Sequence, residues 1–376
     1  MDVPVFDFTQ PLEGKRIVLR ASLNVPVEQG KVTNLFRLEQ AVPTIELLAK
    51  KGARVVVLAH IGREKTNSLK PVWQVIKDMA HVPVLFSEDV VGVHAQKAVA
   101  NLQNGEVLLL ENVRKEQREL ENDEDFAKAL AGYGEMYIND AFADAHRAHA
   151  SIVGVPHYIP GFLGPLFQKE MRGIDPARNP TSPSLAIIGG AKFVTKEPLV
   201  RHLIATYDYV FIGGAIANDF IKAKGYNVGR SLVSNMCEVR DLLTNSKIHI
   251  PEYVVVGQGH GEHEEKHIGD IEDHEIIYDI GSKSLEKLAP LIDKAGFILW
   301  NGPLGFFEGG YKQATEDVAK MIADTKGHTI IGGGNTVEAV QKYALHAHFT
   351  HVSTSGGAML KYIADGTLVG IEALGD

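Results

Sequence analysis

The chain reads as two α/β domains, each built on a doubly wound parallel sheet. Three observations predict this. The 376 residues suffice for two domains at about 150 residues each. Short apolar runs without polar alternation recur along the chain and are separated by helical stretches, as when strands are buried on both faces and wrapped by helices. Glycines and cationic side chains gather just after those runs, where open α/β sheets take their ligands.

In the first half, Ile17–Arg20, Arg54–His60, Pro83–Phe86, Glu106–Asn112 and Met136–Asn139 read as strands. Asn34 and Ser68 stand where helix caps are favoured, ahead of helices to Lys51 and Ala80. Pro43 should interrupt the first of these. Arg20, Asn24, His60, Arg63, Asn112, Arg114, Asn139, Asp140, His146, Arg147 and His149 all fall at or just beyond strand ends, and Arg37 follows the first strand closely. Arginines converging on one crevice make an anion site, because the guanidinium fork matches phosphate and carboxylate.

Between Ala150 and Asn179 the rhythm breaks at Pro156, Pro160, Gly161, Gly164 and Pro165, and again at Pro176, Pro180 and Pro183. A linker with a connecting helix over Leu166–Arg172 is expected there, with a hinge near residues 150–180. The boundaries are a first domain over 1–160, a connector over 161–180, a second domain over 181–357, and a last segment over 358–376.

The second half repeats the α/β pattern, with strands at 184–190, 209–214, 252–256, 297–300, 329–331 and 351–353. Four end in glycines: Gly189-Gly190, Gly213-Gly214, Gly332-Gly333-Gly334 and Gly356-Gly357. A fifth ends in Asn301-Gly302-Pro303. Glycine lets a ligand come close to the backbone, and a helix N-terminus behind it offers N–H groups to phosphate. After Gly190 come Lys192 and Lys196, spaced to share a helix face.

Composition narrows the function. A formal charge of −9 argues against a nucleic-acid surface. No run approaches the ~18 apolar residues of a membrane span, and Met1-Asp2-Val3-Pro4 has no signal-peptide layout. The single Cys237 forms no internal disulfide, so a cytoplasmic location is expected. His263-Glu264-Glu265-Lys266-His267 spells a zinc-protease pattern, but that motif needs a helix with a buried apolar face. Glycines and charged neighbours make a solvated loop the expectation, with the His260–His267 cluster a remote candidate for a metal-dependent hydrolase.

Longer blocks carry a specific resemblance. Arg20-Ala21-Ser22-Leu23-Asn24-Val25-Pro26, Ala59-His60-Ile61-Gly62-Arg63, Leu108–Arg114, Asn139–Phe142 with His146–Ser151, Gly189–Lys192, Trp300–Pro303, Gly332–Gly334 and Ser353–Ala358 follow one another in order. From near Lys15 to Leu374 the chain resembles the phosphoglycerate kinases. The resemblance implies two Rossmann-like three-layer domains with parallel sheets facing a cleft, a connecting helix, and a final segment returning to the first domain. It implies reversible phosphoryl transfer between 1,3-bisphosphoglycerate and Mg-ADP, giving 3-phosphoglycerate and ATP in glycolysis, by a cytoplasmic monomer without nucleic-acid or membrane partners.

The resemblance also implies site residues. Ser22, Leu23, Asn24, Arg37, His60, Ile61, Gly62, Arg63, Arg114 and Arg147 match acid-substrate positions. Gly189, Gly190, Lys192, Lys196, Gly213, Gly214, Asn301, Glu308, Gly333, Gly334, Asn335 and Thr336 match nucleotide positions, with Glu308 on the ribose. Arg37, Lys192, Lys196, Gly334 and Gly356 are the implied catalytic set, steadying the moving phosphoryl group. Asn335 is the implied Mg²⁺ contact. Ser22, Thr195 and Asn335 stand where the family usually carries Asp, and Ser355 where it carries glycine. A second reading follows from those departures: a weakened relative that binds nucleotide or a phosphorylated acid for another purpose.

Overall fold

A computed structural model describes residues 4, 6–191, 193, 196–234, 239–259 and 261–375. Lys192, Thr195, Cys237 and His260 therefore lie outside the described residues. The chain divides into two compact units, Met1–Met171 with Thr367–Asp376, and Arg172–Gly366. Relative to the expected boundaries, the chain enters the second unit within the helix Pro165–Ile174 and leaves it after the helix Gly357–Asp365.

The strands of the first unit are β1 (Arg16–Arg20), a short ribbon of β2 (Val27–Glu28) and β3 (Lys31–Val32), then β4 (Arg54–Leu58), β5 (Val84–Phe86), β6 (Val107–Leu109), β7 (Met136–Asn139) and β8 (Gly161–Leu163). Six of them form one sheet in the order β5-β6-β4-β1-β7-β8. Every pairing in it is parallel. Strand β8 is an addition to the sequence reading: Pro160 and Pro165 suggested a linker, yet an edge strand tolerates flanking prolines because one side needs no ladder bonds.

Ile17 and Leu19 of β1 and Val55 and Val57 of β4 pack with Leu38, Ile45 and Leu48 of the helix Phe36–Lys50. Asn34 Oδ1 accepts from Phe36 N at 3.0 Å and starts that helix as expected. Pro43 lies within it without ending it. The buried stripe continues on both sides of the proline, through Leu38 and Ala41 to Ile45 and Leu48. Packing that stripe outweighs the lost bond, worth about 3 kcal/mol.

The second unit holds β9 (Ser184–Ile188), β10 (Tyr209–Ile212), β11 (Ile248–His249), β12 (Tyr253–Gly257), β13 (His263–His267), β14 (Ile276–Ile280), β15 (Phe297–Asn301), β16 (His328–Gly332) and β17 (His351–Val352). Its six-stranded sheet runs β11-β10-β9-β15-β16-β17, again parallel throughout. Leu185, Ile187, Ile298, Trp300 and Ile331 of this sheet meet Leu288, Ile292, Val318 and Ile322 of flanking helices.

Strand β12 departs from the expected pattern. It lies between β13 and β14 in a separate antiparallel sheet. His263–His267, expected as a loop, is thus an edge strand. Its charges are paired: Lys266 Nζ lies 2.8 Å from Glu275, and Glu265 accepts from Ser282 N at 2.6 Å. Charge along an edge guards it against unwanted pairing and does not prevent a strand. No cluster of three metal-ligating side chains occurs among the described residues, and no described helix is long and apolar enough to cross a membrane.

Candidate active site

In the first unit β1 lies between β4 and β7, with Arg20 level with Leu58 and Asn139. The chain builds one side of the sheet through β6 and then crosses to β7, so the ends of β1, β4 and β7 border its switch point. Arg20, His60 and Asn139 are fully buried there. Arg20 Nε donates to Ser151 Oγ at 2.8 Å, and Nη2 meets His60 Nδ1 at 3.1 Å. Arginine only donates, so Nδ1 accepts, and this partner assigns the imidazole proton to Nε2. Nε2 is buried and finds no hydrogen-bond partner among the described residues. Burial pushes the His60 imidazole down to about 3 against the pull of Asp144, so the ring is neutral near pH 7.

Asp144 is the counter-charge. Its Oδ1 accepts from Arg147 Nη1 at 3.1 Å. Its Oδ2 stands 3.4 Å from His60 Nδ1 and 3.6 Å from Arg20 Nη2. Burial works to raise its carboxyl, but His60, Arg20, Arg147 and Arg114 together hold it at about 2. Beneath, Ser151 Oγ donates to Glu119 Oε1 at 2.6 Å. Burial raises the Glu119 carboxyl, with Arg20 opposing.

A second group of predicted residues joins through main chain. Asn24 Oδ1 accepts from Gly62 N at 2.9 Å, and its carbonyl accepts from Arg37 Nη1. Arg114 Nη1 donates to the Gly62 carbonyl at 2.7 Å. Asn24, Arg37 and Gly62 border a cavity of about 550 Å³. Arg63, next on the same loop, is exposed. Leu23 and Ile61 are core residues, so only their main chain can reach a ligand. Ser22 Oγ is buried without a hydrogen-bond partner among the described residues.

In the second unit the switch point falls between β9 and β15, where Ile188 pairs with Asn301. The turns that follow are interlocked through backbone. Gly189 N donates to the Asn301 carbonyl at 2.9 Å, Gly190 N to the Pro303 carbonyl at 3.0 Å, and Gly213 N to the Ile188 carbonyl at 2.8 Å. A Cβ at Gly189 would lie 2.1 Å from the Pro303 oxygen. Gly214, at φ +61°, opens the helix Gly214–Ala223 against Gly190. Lys196 Nζ donates to the Gly189 carbonyl at 2.5 Å and to Asn301 Oδ1 at 3.3 Å. Burial pushes its ammonium down to about 8.

Thr336 Oγ1 accepts from Gly302 N at 3.0 Å and Asn301 Nδ2 donates to the Gly332 carbonyl at 3.0 Å. Gly333, at φ +103°, then turns into the helix Gly334–Lys342. A Cβ at Gly334 would meet nothing within 4 Å. Gly356, heading the helix Gly357–Asp365, lies against Gly333. Ser355 accepts from Ala358 N at 3.1 Å through its Oγ and so caps that helix. A cavity of about 630 Å³ beside these turns is lined by Gly190, Gly214, Leu304, Tyr278, Glu308 and Asn335, among others.

Asn335 Nδ2 donates to Glu308 Oε1 at 2.7 Å, which leaves its Oδ1 as the atom that can meet a cation. One neutral oxygen, with no cluster of three metal-ligating side chains among the described residues, cannot cage Mg²⁺. It does fit Mg²⁺ carried mainly by phosphate and water.

Sequence reasoning missed Asp144, Glu119 and Asp279. Asp144 falls between two motif blocks. Asp279 is the one acid in an apolar strand, Ile276–Ile280. It accepts from Ile280 N at 2.9 Å and Ala314 N at 3.2 Å, and burial pushes its carboxyl up to about 7.

A model of the phosphoglycerate kinase family matches residues 7–366. The chain belongs to the phosphoglycerate kinase family. The phosphoglycerate kinase of Bartonella quintana is 40% identical over 382 residues, covering 96% of each chain. That of Methylorubrum populi is 39% identical over 394 residues, covering 99% of this chain and 98% of the relative. The phosphoglycerate kinase structure from Pyrococcus horikoshii OT3 superposes with a TM-score of 0.87 at 30% identity, covering 98% of this chain and 97% of that one. The Coxiella burnetii structure gives 0.79 at 34% identity and 99% of both chains. Family membership makes the chain a phosphoryl-transferring kinase of glycolysis that turns over nucleotide.

Proposed function

We propose that the first unit holds a phosphorylated acid and the second a Mg²⁺-nucleotide. In one direction the bond between phosphorus and the acyl oxygen of 1,3-bisphosphoglycerate breaks, and a bond from phosphorus to a terminal oxygen of ADP forms. The products are 3-phosphoglycerate and ATP. The observation that carries this reading is the pre-assembled cation cluster at the first switch point, with His60 Nε2 buried and unbonded among the described residues. Such a group is costly without a ligand, and a donor flanked by Arg147 and Arg114 suits phosphate or carboxylate.

Asn24, His60, Arg63, Arg114 and Arg147 bind the acid, with Ser22 and the main chain of Leu23, Ile61 and Gly62. Gly213 and Gly214 border the base, Glu308 meets the ribose, and Gly189, Gly190, Asn301, Gly333 and Thr336 shape the phosphate cradle. Phosphoryl transfer needs alignment and charge cancellation more than covalent help. Arg37, Lys196 and the N–H groups near Gly334 and Gly356 supply charge and hydrogen bonds to the equatorial oxygens, with Lys192 as a further cation. Mg²⁺, when bound, neutralises phosphate charge, and Asn335 Oδ1 is the contact this chain offers it. Residues 161–180 act as a hinge that lets the two carriers meet, in a cytoplasmic monomer.

Calorimetry of each ligand alone tests the division of labour. His60→Ala with Arg114→Ala should weaken 3-phosphoglycerate at least tenfold and leave ADP unchanged. Equal loss of both ligands, or of neither, contradicts it. Small-angle scattering should show compaction only with both substrates.

A further inference from the structure

We propose that Asp144 is a positioning residue of the acid-binding face, holding Arg147 in place and tuning the cation cluster to favour the phosphorylated acid over simple anions. This rests on the reading that the first unit binds that acid. Asp144 is 3% exposed. Its Oδ1 holds Arg147, whose side chain is 39% exposed and would otherwise sample many rotamers. Its Oδ2 has no hydrogen bond among the described residues, although His60 and Arg20 stand 3.4 and 3.6 Å away. A buried carboxylate oxygen left unbonded among cations needs an explanation. It supplies charge there more than bonding.

The charged and titratable groups acting on it come from every neighbouring element. They are Arg20 of β1, His60 after β4, Arg114 of the turn Val113–Lys115 and Arg147 on its own segment. Arg37 of the helix Phe36–Lys50, Glu119, His149 and Tyr137 also feel its charge. The segment is held independently of those charges. Asp144 N donates to the Ala141 carbonyl at 3.0 Å, and Gly370 N, from the returning C-terminal segment, donates to the Ala145 carbonyl at 2.9 Å. The carboxylate is therefore fixed in place before any ligand arrives.

Removing the negative charge has two opposed consequences. The face becomes more positive, so any anion is drawn more strongly. Arg147 trades a charge-assisted bond for a weaker one, so the anion whose shape needs Arg147 in one place is held less well. Selectivity is the difference between these affinities.

The test compares Asp144→Asn and Asp144→Glu with the parent protein. It reads KM for 3-phosphoglycerate, kcat, KM for ATP, and the competitive inhibition constant of inorganic sulfate. For Asp144→Asn we expect the phosphoglycerate KM to rise about tenfold and kcat to fall. The sulfate inhibition constant should fall severalfold and KM for ATP should not move. Asp144→Glu should restore most of the phosphoglycerate KM. Both anions weakening together in a variant that melts like the parent would mean a merely structural role and overturn the proposal. No change in either would overturn it too. A parent protein that neither binds nor phosphorylates 3-phosphoglycerate would remove the functional reading itself, and this inference with it.

Discussion

Asn335 Nδ2 donates to Glu308 Oε1 across 2.7 Å at the start of the helix Gly334–Lys342. The amide thus holds the carboxylate assigned to the ribose. An Asp at 335 would set two carboxylates against each other, yet offer Mg²⁺ a better ligand. Asn335→Asp should lower the half-saturating Mg²⁺ concentration and raise KM for ADP at low Mg²⁺. Adding Glu308→Gln should remove the second effect. Steady-state kinetics over a Mg²⁺ series checks both, and an unchanged Mg²⁺ requirement would show that phosphates and water suffice.

Two glycines separate cradle from scaffold. At Gly334 a Cβ meets no protein atom, so Gly334→Ala should leave melting unchanged or raise it slightly, by about 0.5–1 kcal/mol, while weakening ADP at least tenfold by occupying the phosphate position. At Gly214 the φ is +61° and a Cβ would lie 2.7 Å from Gly190 N. Gly214→Ala should cost about 1–3 kcal/mol of stability as well as nucleotide affinity. Thermal melts with and without ADP separate the two.

Lys196 should give the proposed nucleotide site a basic limb. Burial holds its ammonium at about 8, so its charge is lost as pH rises through that value in the free protein. The specificity constant for ADP should decline above pH 8. Lys196→Arg, always protonated, should flatten the decline even if it lowers the plateau. A pH–rate profile with the same limb in both proteins would assign the decline to another group.

The first unit should be acid-labile. His60 and His149 are pushed down to about 3 and about 4. Between those values and the unfolded value near 6.5 the unfolded chain binds the protons and the folded chain does not. Stability is then lost as pH falls, by up to about 1.4 kcal/mol per pH unit for each histidine. Glu119 and Asp140, whose carboxyls burial raises, that of Asp140 to about 6, work the other way and offset part of this below about pH 6. Chemical denaturation at pH 7, 6 and 5 should show the loss, and His60→Gln should reduce its slope.

Much of this was legible in the chain. The strands Ile17–Arg20, Arg54–Leu58 and Phe297–Trp300 announce themselves because both faces are buried and every residue is apolar or terminal. The cation sites follow from what stands after those strands. What stayed hidden depends on partners distant in sequence. His263–His267 looked too charged for a strand because Glu275 and Ser282, which satisfy it, come from elsewhere. Pro43 looked like an interruption of its helix because the core on either side of it is tertiary. Asp144 drew no notice because Arg20, some 120 residues earlier in the chain, is what gives its buried charge a partner.

A coupled assay reads transfer between the two proposed carriers directly. With 1,3-bisphosphoglycerate and Mg-ADP, the protein should form ATP and 3-phosphoglycerate in equal amounts. Arg37→Ala, which leaves an arginine out of the acid face, should lower kcat at least a hundredfold, about 2.7 kcal/mol of transition-state stabilisation. Turnover in the parent protein no faster than in Arg37→Ala would contradict the account.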